Sequence, residues 1–299
     1  MNKVFVLPPY ENWIVDRFVK EWNQDNIDIS TSDPQRADVI WLLADWAWDK
    51  LSSFDLSKKK VLTTIHHIVP EKFDSYAISN FLKRDSITTA YHVYNEQTKN
   101  FIKKYTQKEI HVIQYWANQK IWFPTQQKNE LRKKYNIPID GYIIGSFQRD
   151  TEGKDLRSPK LEKGPDLLAD YLEKIYQKER KLHVILAGWR RQYIVERLKN
   201  ANIPFSYFEL PPHNVINDLY QTLDLYPVSS RCEGGPQSLI ECGLLNVPVI
   251  TRDVGIARQV LPDSSINNNL LLAKPSVPVI TAMKLPEGYA KYRELLLNL

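Results

Sequence analysis

Short apolar runs alternate with helical stretches along nearly the whole chain, and this alternation restricts the fold more than any other feature. Runs at 4–7, 37–43, 60–65, 86–91 and 110–114 read as strands, with helical patterns at 11–22 and 96–104. Strand then helix, repeated, predicts a parallel sheet covered on both faces. Residues 116–127 break the rhythm with Asn118, Pro124 and three polar residues after it, which predicts a crossover between domains. The alternation then restarts. Strands are expected at 142–147, 182–187, 204–208, 223–228, 247–251 and 270–272, and helices at 165–177, 193–200, 214–221 and 237–245. A last helix is expected at 287–297.

The fold class is therefore α/β: two Rossmann-like doubly wound parallel-sheet domains facing across a cleft. The expected divisions are 1–117, 118–285 and a C-terminal helix at 286–299 that crosses back. Open parallel sheets bind ligands at the carboxyl ends of their strands, so the site belongs in loops that follow strands. The 299 residues suffice for two cores, and 43% hydrophobic with 25% charged residues is ordinary for a globular chain.

Charge and cysteine content narrow the class. A net charge of +5 does not point to nucleic acid. It suits an anionic small substrate or weak peripheral contact with an anionic membrane. The two cysteines, Cys232 and Cys242, read as small buried residues in a reduced compartment. The first apolar run stops at Pro8-Pro9, so no secretory leader is expected, and no stretch reaches the ~20 apolar residues of a membrane span. A cytoplasmic location is the expectation. No Asp-x-Asp and no Cys/His cluster with metal spacing is present, and no Gly-x-Gly-x-x-Gly follows a strand. Neither a metal nor a cofactor is expected.

The segment Ser229-Ser230-Arg231-Cys232-Glu233-Gly234-Gly235-Pro236-Gln237-Ser238-Leu239-Ile240-Glu241 carries the most chemistry. It follows an expected strand and opens an expected helix, with Gly235 as cap and Pro236 at the first helical position. A helix start offers unpaired backbone N–H groups and partial positive charge, both suited to a diphosphate. Gly234 and Gly235 let a ligand approach the backbone. Glu233 precedes the helix, and Glu241 lies on it with Gln237 and Ser238, leaving Leu239, Ile240, Gly243 and Leu244 for the core. Two carboxylates could then flank a diphosphate and accept from vicinal hydroxyls, one set on a sugar and one on a ribose. Taken alone, a glutamate pair spaced by eight means little; the Gly-Gly-Pro start and the strand on either side give it weight.

Those residues resemble the retaining glycosyltransferases of family four, which have the GT-B fold. There, two glutamates eight positions apart bracket a Gly-rich helix start, here Glu233 and Glu241. The downstream Val247-Pro248-Val249-Ile250-Thr251-Arg252-Asp253-Val254-Gly255 resembles the family's next strand and glycine turn. Gly145-Ser146-Phe147-Gln148-Arg149 and Lys163-Gly164 resemble its first donor-domain strand and two phosphate-binding cations. The resemblance covers about 108–261; before that it extends only to layout.

The resemblance implies transfer of a sugar from a nucleotide-diphosphate sugar, as co-substrate, to a hydroxyl acceptor such as a glycan or a lipid-linked acceptor, with retention and without a metal. The first domain would take the acceptor and the second the nucleotide sugar. Glu233, Arg149 and Lys163 would be catalytic. Glu241, Gly234, Gly235, Pro236, Gln237, Ser238 and Gly188 would face the donor. Lys163 lies fourteen positions after Arg149, which leaves Lys154 as its rival. On the acceptor side, three loops after strands hold Tyr10 and Glu11, Asp45, Trp46 and Trp48, and His66. The tryptophans read more readily as packing than as sugar-stacking faces, and His66 reads equally as a structural residue. Two other classes stay open: a nucleotide-sugar epimerase of the same fold, and a non-catalytic nucleotide-sugar-binding module.

Overall fold

Five parallel strands make the sheet of the first unit. They are β1 Val4–Val6, β2 Val39–Leu42, β3 Lys60–Ile65, β4 Ala90–Val93 and β5 Ile110–Val112, hydrogen-bonded in that order. The computed structural model describes residues 2–11 and 14–299. The first unit comprises Met1–Trp116 and Leu285–Leu299, the second Ala117–Lys284. Val4 also bridges Ser30 in parallel, on the edge of β1 away from β2. The chain thus leaves β1 toward one side of the sheet and returns on the other. That reversal makes the β1/β2 junction the switch point of the unit, where the loops after the two strands open a crevice.

Helix α1, Ile14–Asp25, buries Val15, Phe18, Val19 and Trp22, spaced three and four apart as one face of a helix requires. The expected start at 11 is too early: Glu11 is in the preceding loop, and residues 12 and 13 lie outside the described residues. The Asp16 carboxylate accepts from the backbone N–H groups of Tyr10 (3.0 Å) and Glu11 (2.8 Å), which holds that loop against the helix. Helix α2, Ser75–Asp85, is not among the expected elements. Its N-cap Asp74 accepts from Ala77 N at 3.0 Å. Because α2 runs through Asp85, β4 begins at Ala90, and the strand expected at 86–91 is out of register. Helix α3, Glu96–Ile102, is capped by Asn95. The terminal helix, Ala290–Asn298, belongs to this unit: Tyr292 donates to Gln114 O at 2.9 Å, and Arg293 pairs with Asp28 at 2.6 Å.

The second unit begins with α4, Lys128–Lys134, and β6, Tyr142–Ser146. A hairpin follows, β7 Thr151–Glu152 against β8 Ser158–Pro159, antiparallel. Then come α5 Pro165–Lys178, β9 Leu182–Ala187, α6 Gln192–Asn200, β10 Phe205–Phe208 and α7 His213–Gln221. The unit ends with β11 Tyr226–Val228, α8 Gln237–Leu244, β12 Val249–Thr251 and α9 Ala257–Val260. The strands run in parallel as β10-β9-β6, and β11 pairs with β12. A parallel bridge from Ile144 to Leu225 sets β11 beside β6. The winding goes outward from β6 through β9 to β10, then reverses to β11 and β12. Its switch point is the junction of β6 and β11, so the loops 147–150 and 229–233 lie side by side.

The strand expected at 270–272 is instead a 3-10 turn, in which Asn269 caps and accepts from Leu271 N. Asparagine side chains compete with the sheet ladder for nearby backbone donors, and three stand together at 267–269. Ile266 bridges Thr251 in parallel instead. Among the described residues, no helix is long and apolar enough to cross a membrane.

Candidate active site

The site is assembled where β6 and β11 end. Gly164 sits at φ 60° just before α5, and a Cβ there would lie 2.1 Å from the Ser229 carbonyl oxygen. Only glycine allows that approach, and it presses the residue before it, Lys163, against the loop after β11. Lys163 Nζ donates to Glu233 Oε1 at 2.7 Å, and Ser230 Oγ donates to the same oxygen at 2.8 Å. Gln148, in the loop after β6, closes the cluster: its Nε2 donates to Lys163 O at 2.9 Å, and Ser230 Oγ lies 3.3 Å from its Oε1. Glu233 and Lys163 are therefore in direct contact, and Ser230 and Gln148, which sequence reasoning did not single out, hold them.

The hairpin accounts for the fourteen-residue gap between Arg149 and Lys163. It leaves the sheet after Asp150 and returns at Lys160, whose N–H donates to Asp150 O at 2.8 Å. Lys154 is exposed on the hairpin tip, away from the Glu233 contact that Lys163 makes. Arg149 is half-buried and donates through Nε to Thr151 O at 3.1 Å. Beneath it, Arg191 is fully buried and ties the ends of β6 and β9 together. Its Nε meets Asp150 Oδ2 at 2.5 Å, Nη1 meets Ala187 O at 2.8 Å and also the Ser146 carbonyl, and Nη2 meets Ser146 Oγ at 2.9 Å. A buried guanidinium is tolerable only with its donors satisfied in this way.

Helix α8 starts at Gln237, where the expected span 237–245 begins, but Pro236 precedes it as N-cap, with ψ 116°, and is not its first helical residue. Leu239 N bonds back to Pro236 O, while the Gln237 and Ser238 N–H groups have no backbone acceptor among the described residues. Gly234 and Gly235 are buried beside the turn at Gly255, where a Cβ would stand 2.9 Å from Pro236 Cδ. Glu241 lies on the side of α8 that Gln237 and Ser238 occupy, four and three positions on, but deeper: it is buried, 9% exposed. Its Oε2 accepts from Tyr220 OH at 2.6 Å. Burial, then the neighbouring Glu241 charge, raises the Tyr220 pKa well above its ordinary value, so the phenol is the donor. Gly188 follows β9, its carbonyl accepting from Tyr207 OH at 3.0 Å. Cys242 is buried as expected, whereas Cys232 is only half-buried, and the two do not form a disulfide.

The first unit gathers its candidates at its own switch point. Trp46 Nε1 donates to Glu11 Oε1 at 2.8 Å, joining the loops after β1 and β2. Trp46 is 44% exposed and Tyr10 78% exposed, while Trp48 is half-buried. Asp45 faces Arg84 at 3.2 Å, and burial pushes its carboxyl up against the opposing pull of Arg84. His66 has both ring nitrogens engaged. Nε2 must carry the proton, because its partner at 2.9 Å is the Leu43 carbonyl, and Nδ1 then accepts from Tyr115 OH at 3.2 Å. Burial lowers its pKa and favours that neutral form. His66 thus presents a ring face rather than a free nitrogen; Trp46 lies 5.6 Å and Tyr94 5.2 Å from it, centroid to centroid.

Two doubly wound units, the second with a cation and two carboxylates at its switch point beside a helix start, define the class of the GT-B fold. The chain belongs to the family described as glycosyl transferases group 1, whose model matches residues 127–280, just over half of the chain. A curated relative, the O-antigen biosynthesis glycosyltransferase WclY of Escherichia coli, is 25% identical over 160 residues. That match takes in 53% of this chain and 42% of WclY, so the chain spans less than half of the curated relatives it matches. Among solved structures, Anabaena HepE in complex with UDP-glucose aligns with a TM-score of 0.72 at 13% identity, over 91% of this chain and 88% of that one. A glycosyltransferase from Rickettsia africae aligns at 0.60 and 17%, over 99% and 89%.

Proposed function

We propose that the chain moves a sugar from a nucleotide-diphosphate sugar to a hydroxyl acceptor, with retention and without a metal. The observation that carries this reading is the contact of Lys163 with Glu233 at 2.7 Å, beside the start of α8 and at the end of β6. In transfer, the bond from the sugar carbon to the diphosphate breaks, a bond to the acceptor oxygen forms, and the acceptor's hydroxyl proton passes to the departing diphosphate or to solvent. Negative charge grows on the leaving diphosphate. Lys163, Arg149 and the first N–H groups of α8 would oppose that charge, as fixed donors aimed where charge develops. Glu233 would position the donor sugar, and Glu241, steadied by Tyr220, would accept from the ribose hydroxyls. Retention rests on the family resemblance.

The acceptor, a glycan, lipid-linked or other hydroxyl compound, would lie on the first unit against Tyr10, Glu11, Trp46 and Trp48. Asp45 and His66 would shape that surface from beneath. An exposed indole combines an apolar face with fixed geometry, which suits a sugar ring. Two cysteines outside any disulfide, Cys232 and Cys242, suit a reduced, cytoplasmic setting, and the +5 charge suits weak contact with an anionic membrane.

Thermal shift with a panel of nucleoside diphosphates tests the donor site. At ~100-fold excess over Kd, a diphosphate that binds should stabilise the protein by about 2.7 kcal/mol. The same stabilisation is expected in the presence of a chelator. Stabilisation that appears only with added magnesium or manganese would overturn the metal-free reading.

A further inference from the structure

Trp189 stands beside Arg149 at the carboxyl end of the second sheet. It follows Gly188 at the carboxyl end of β9 and is 47% exposed, while Trp22, Trp41, Trp116 and Trp122 are buried. Its backbone is fixed: Gly188 N donates to Phe208 O at 3.1 Å, and Tyr207 OH donates to Gly188 O at 3.0 Å. The next residue, Arg190, is held at φ 54°, and its carbonyl accepts from the N–H groups of both Asp150 (3.2 Å) and Thr151 (3.1 Å). The loops after β6 and β9 are thereby stitched together, with Arg149 on one and Trp189 on the other. The Arg149 guanidinium lies 5.4 Å from the Trp189 ring centroid and the Arg190 guanidinium 4.4 Å from it.

We propose that Trp189 is the stacking platform for the nucleobase of the donor, and so a determinant of its nucleotide specificity. This rests on the donor-site reading given above. In a nucleoside diphosphate a single ribose joins the base to the phosphates, so the surface that takes the base must lie within a ribose of the cations that take the phosphates. Trp189 meets that condition through Arg149. A half-open indole on a fixed backbone presents a π-surface to any base, and stacking supplies affinity without a hydrogen-bond code. Cations at the ring strengthen such a platform.

Isothermal titration of the full chain with UDP, ADP, GDP, dTDP and inorganic pyrophosphate tests this. For the tightest-binding nucleoside diphosphate, Trp189→Ala should raise Kd roughly 5- to 150-fold. Trp189→Phe should restore most of the affinity, and pyrophosphate should bind both variants as it binds the parent. Unchanged nucleotide affinity in Trp189→Ala would overturn the proposal. So would an equal loss for pyrophosphate, which would make the ring a prop for Arg149. A parent protein that binds pyrophosphate but none of the nucleotides would overturn the base platform alone, and one that binds neither would overturn the donor site with it.

Discussion

Lys163 and Glu233 show how much of this site is decided by single side chains. The glutamate is 10% exposed at its side chain, and a carboxylate so withdrawn from water depends on its charged partner and on Ser230. When a diphosphate arrives, Lys163 can donate to it with its remaining ammonium protons, since an ammonium has three. The charge it meets is greatest as the diphosphate leaves. Lys163→Ala should therefore slow transfer by roughly 10- to 150-fold, the worth of one charge-assisted hydrogen bond, with a smaller effect on donor KM. Lys154→Ala, on the hairpin tip, should leave both constants within about twofold, as expected of an exposed charge. Steady-state kinetics on the two variants checks the assignment; a damaging Lys154→Ala beside a silent Lys163→Ala would reverse it. Glu233, Glu241 and the glycine-rich start were legible in the sequence because they are neighbours along the chain. Ser230 and Gln148 were not: their contact spans 82 positions and exists only after β6 and β11 pair.

Among the elements, those with long periodic patterns were the most legible. Strands β3 and β9 occupy the residues that their β-branched and apolar runs imply. The hairpin β7–β8 was not legible, because two-residue strands carry no period, yet it decides which lysine reaches the site. Helix α2 has an aspartate cap that sequence reading could have used, but only Phe81 and Arg84 of its face are buried, too narrow a stripe to register as amphipathic. The sheet of the first unit also carries a pH sensitivity. His92 on β4 is buried in a closed chain of bonds: Trp41 Nε1 to Thr64 Oγ, Thr64 Oγ to His92 Nδ1, and His92 Nε2 to Ile113 O, each 2.9 Å. The carbonyl at one end and the indole at the other set every donor and the neutral tautomer. Burial pushes the imidazole pKa down to about 3. The unfolded chain protonates this histidine near 6.5, so between those values only the unfolded state takes up the proton. Stability from this group is complete above pH 6.5 and falls by about 1.4 kcal/mol for each unit below it. Burial lowers the His66 and His183 pKa as well, so urea unfolding at pH 7, 6 and 5 should show a slope at least that steep in the parent and a shallower one in His92→Gln. Identical slopes would mean that other groups govern the acid sensitivity.

At the scale of the whole molecule, the strand–helix alternation announced two parallel sheets, and both are present, each wound outward in two directions from an inner strand. The winding matters more than the strand count, because each reversal sets two strand-end loops side by side. In the first unit those loops bring Glu11 to Trp46, and in the second they bring Gln148 to Ser230. The order of strands was not legible, since it depends on which edges pair and not on any local pattern. Under the proposed function the donor belongs on the second unit, which holds the residues that the family model matches. The central claim is sugar transfer, and release of nucleoside diphosphate from a panel of nucleotide sugars, with glycan and lipid-linked acceptors present and chelator added, tests it most directly. Release above background from at least one donor, matched by sugar appearing on the acceptor and reduced at least 10-fold in Glu233→Ala, is the predicted result. Interconversion of nucleotide sugars without release, or tight donor binding with no turnover under any acceptor, would contradict it.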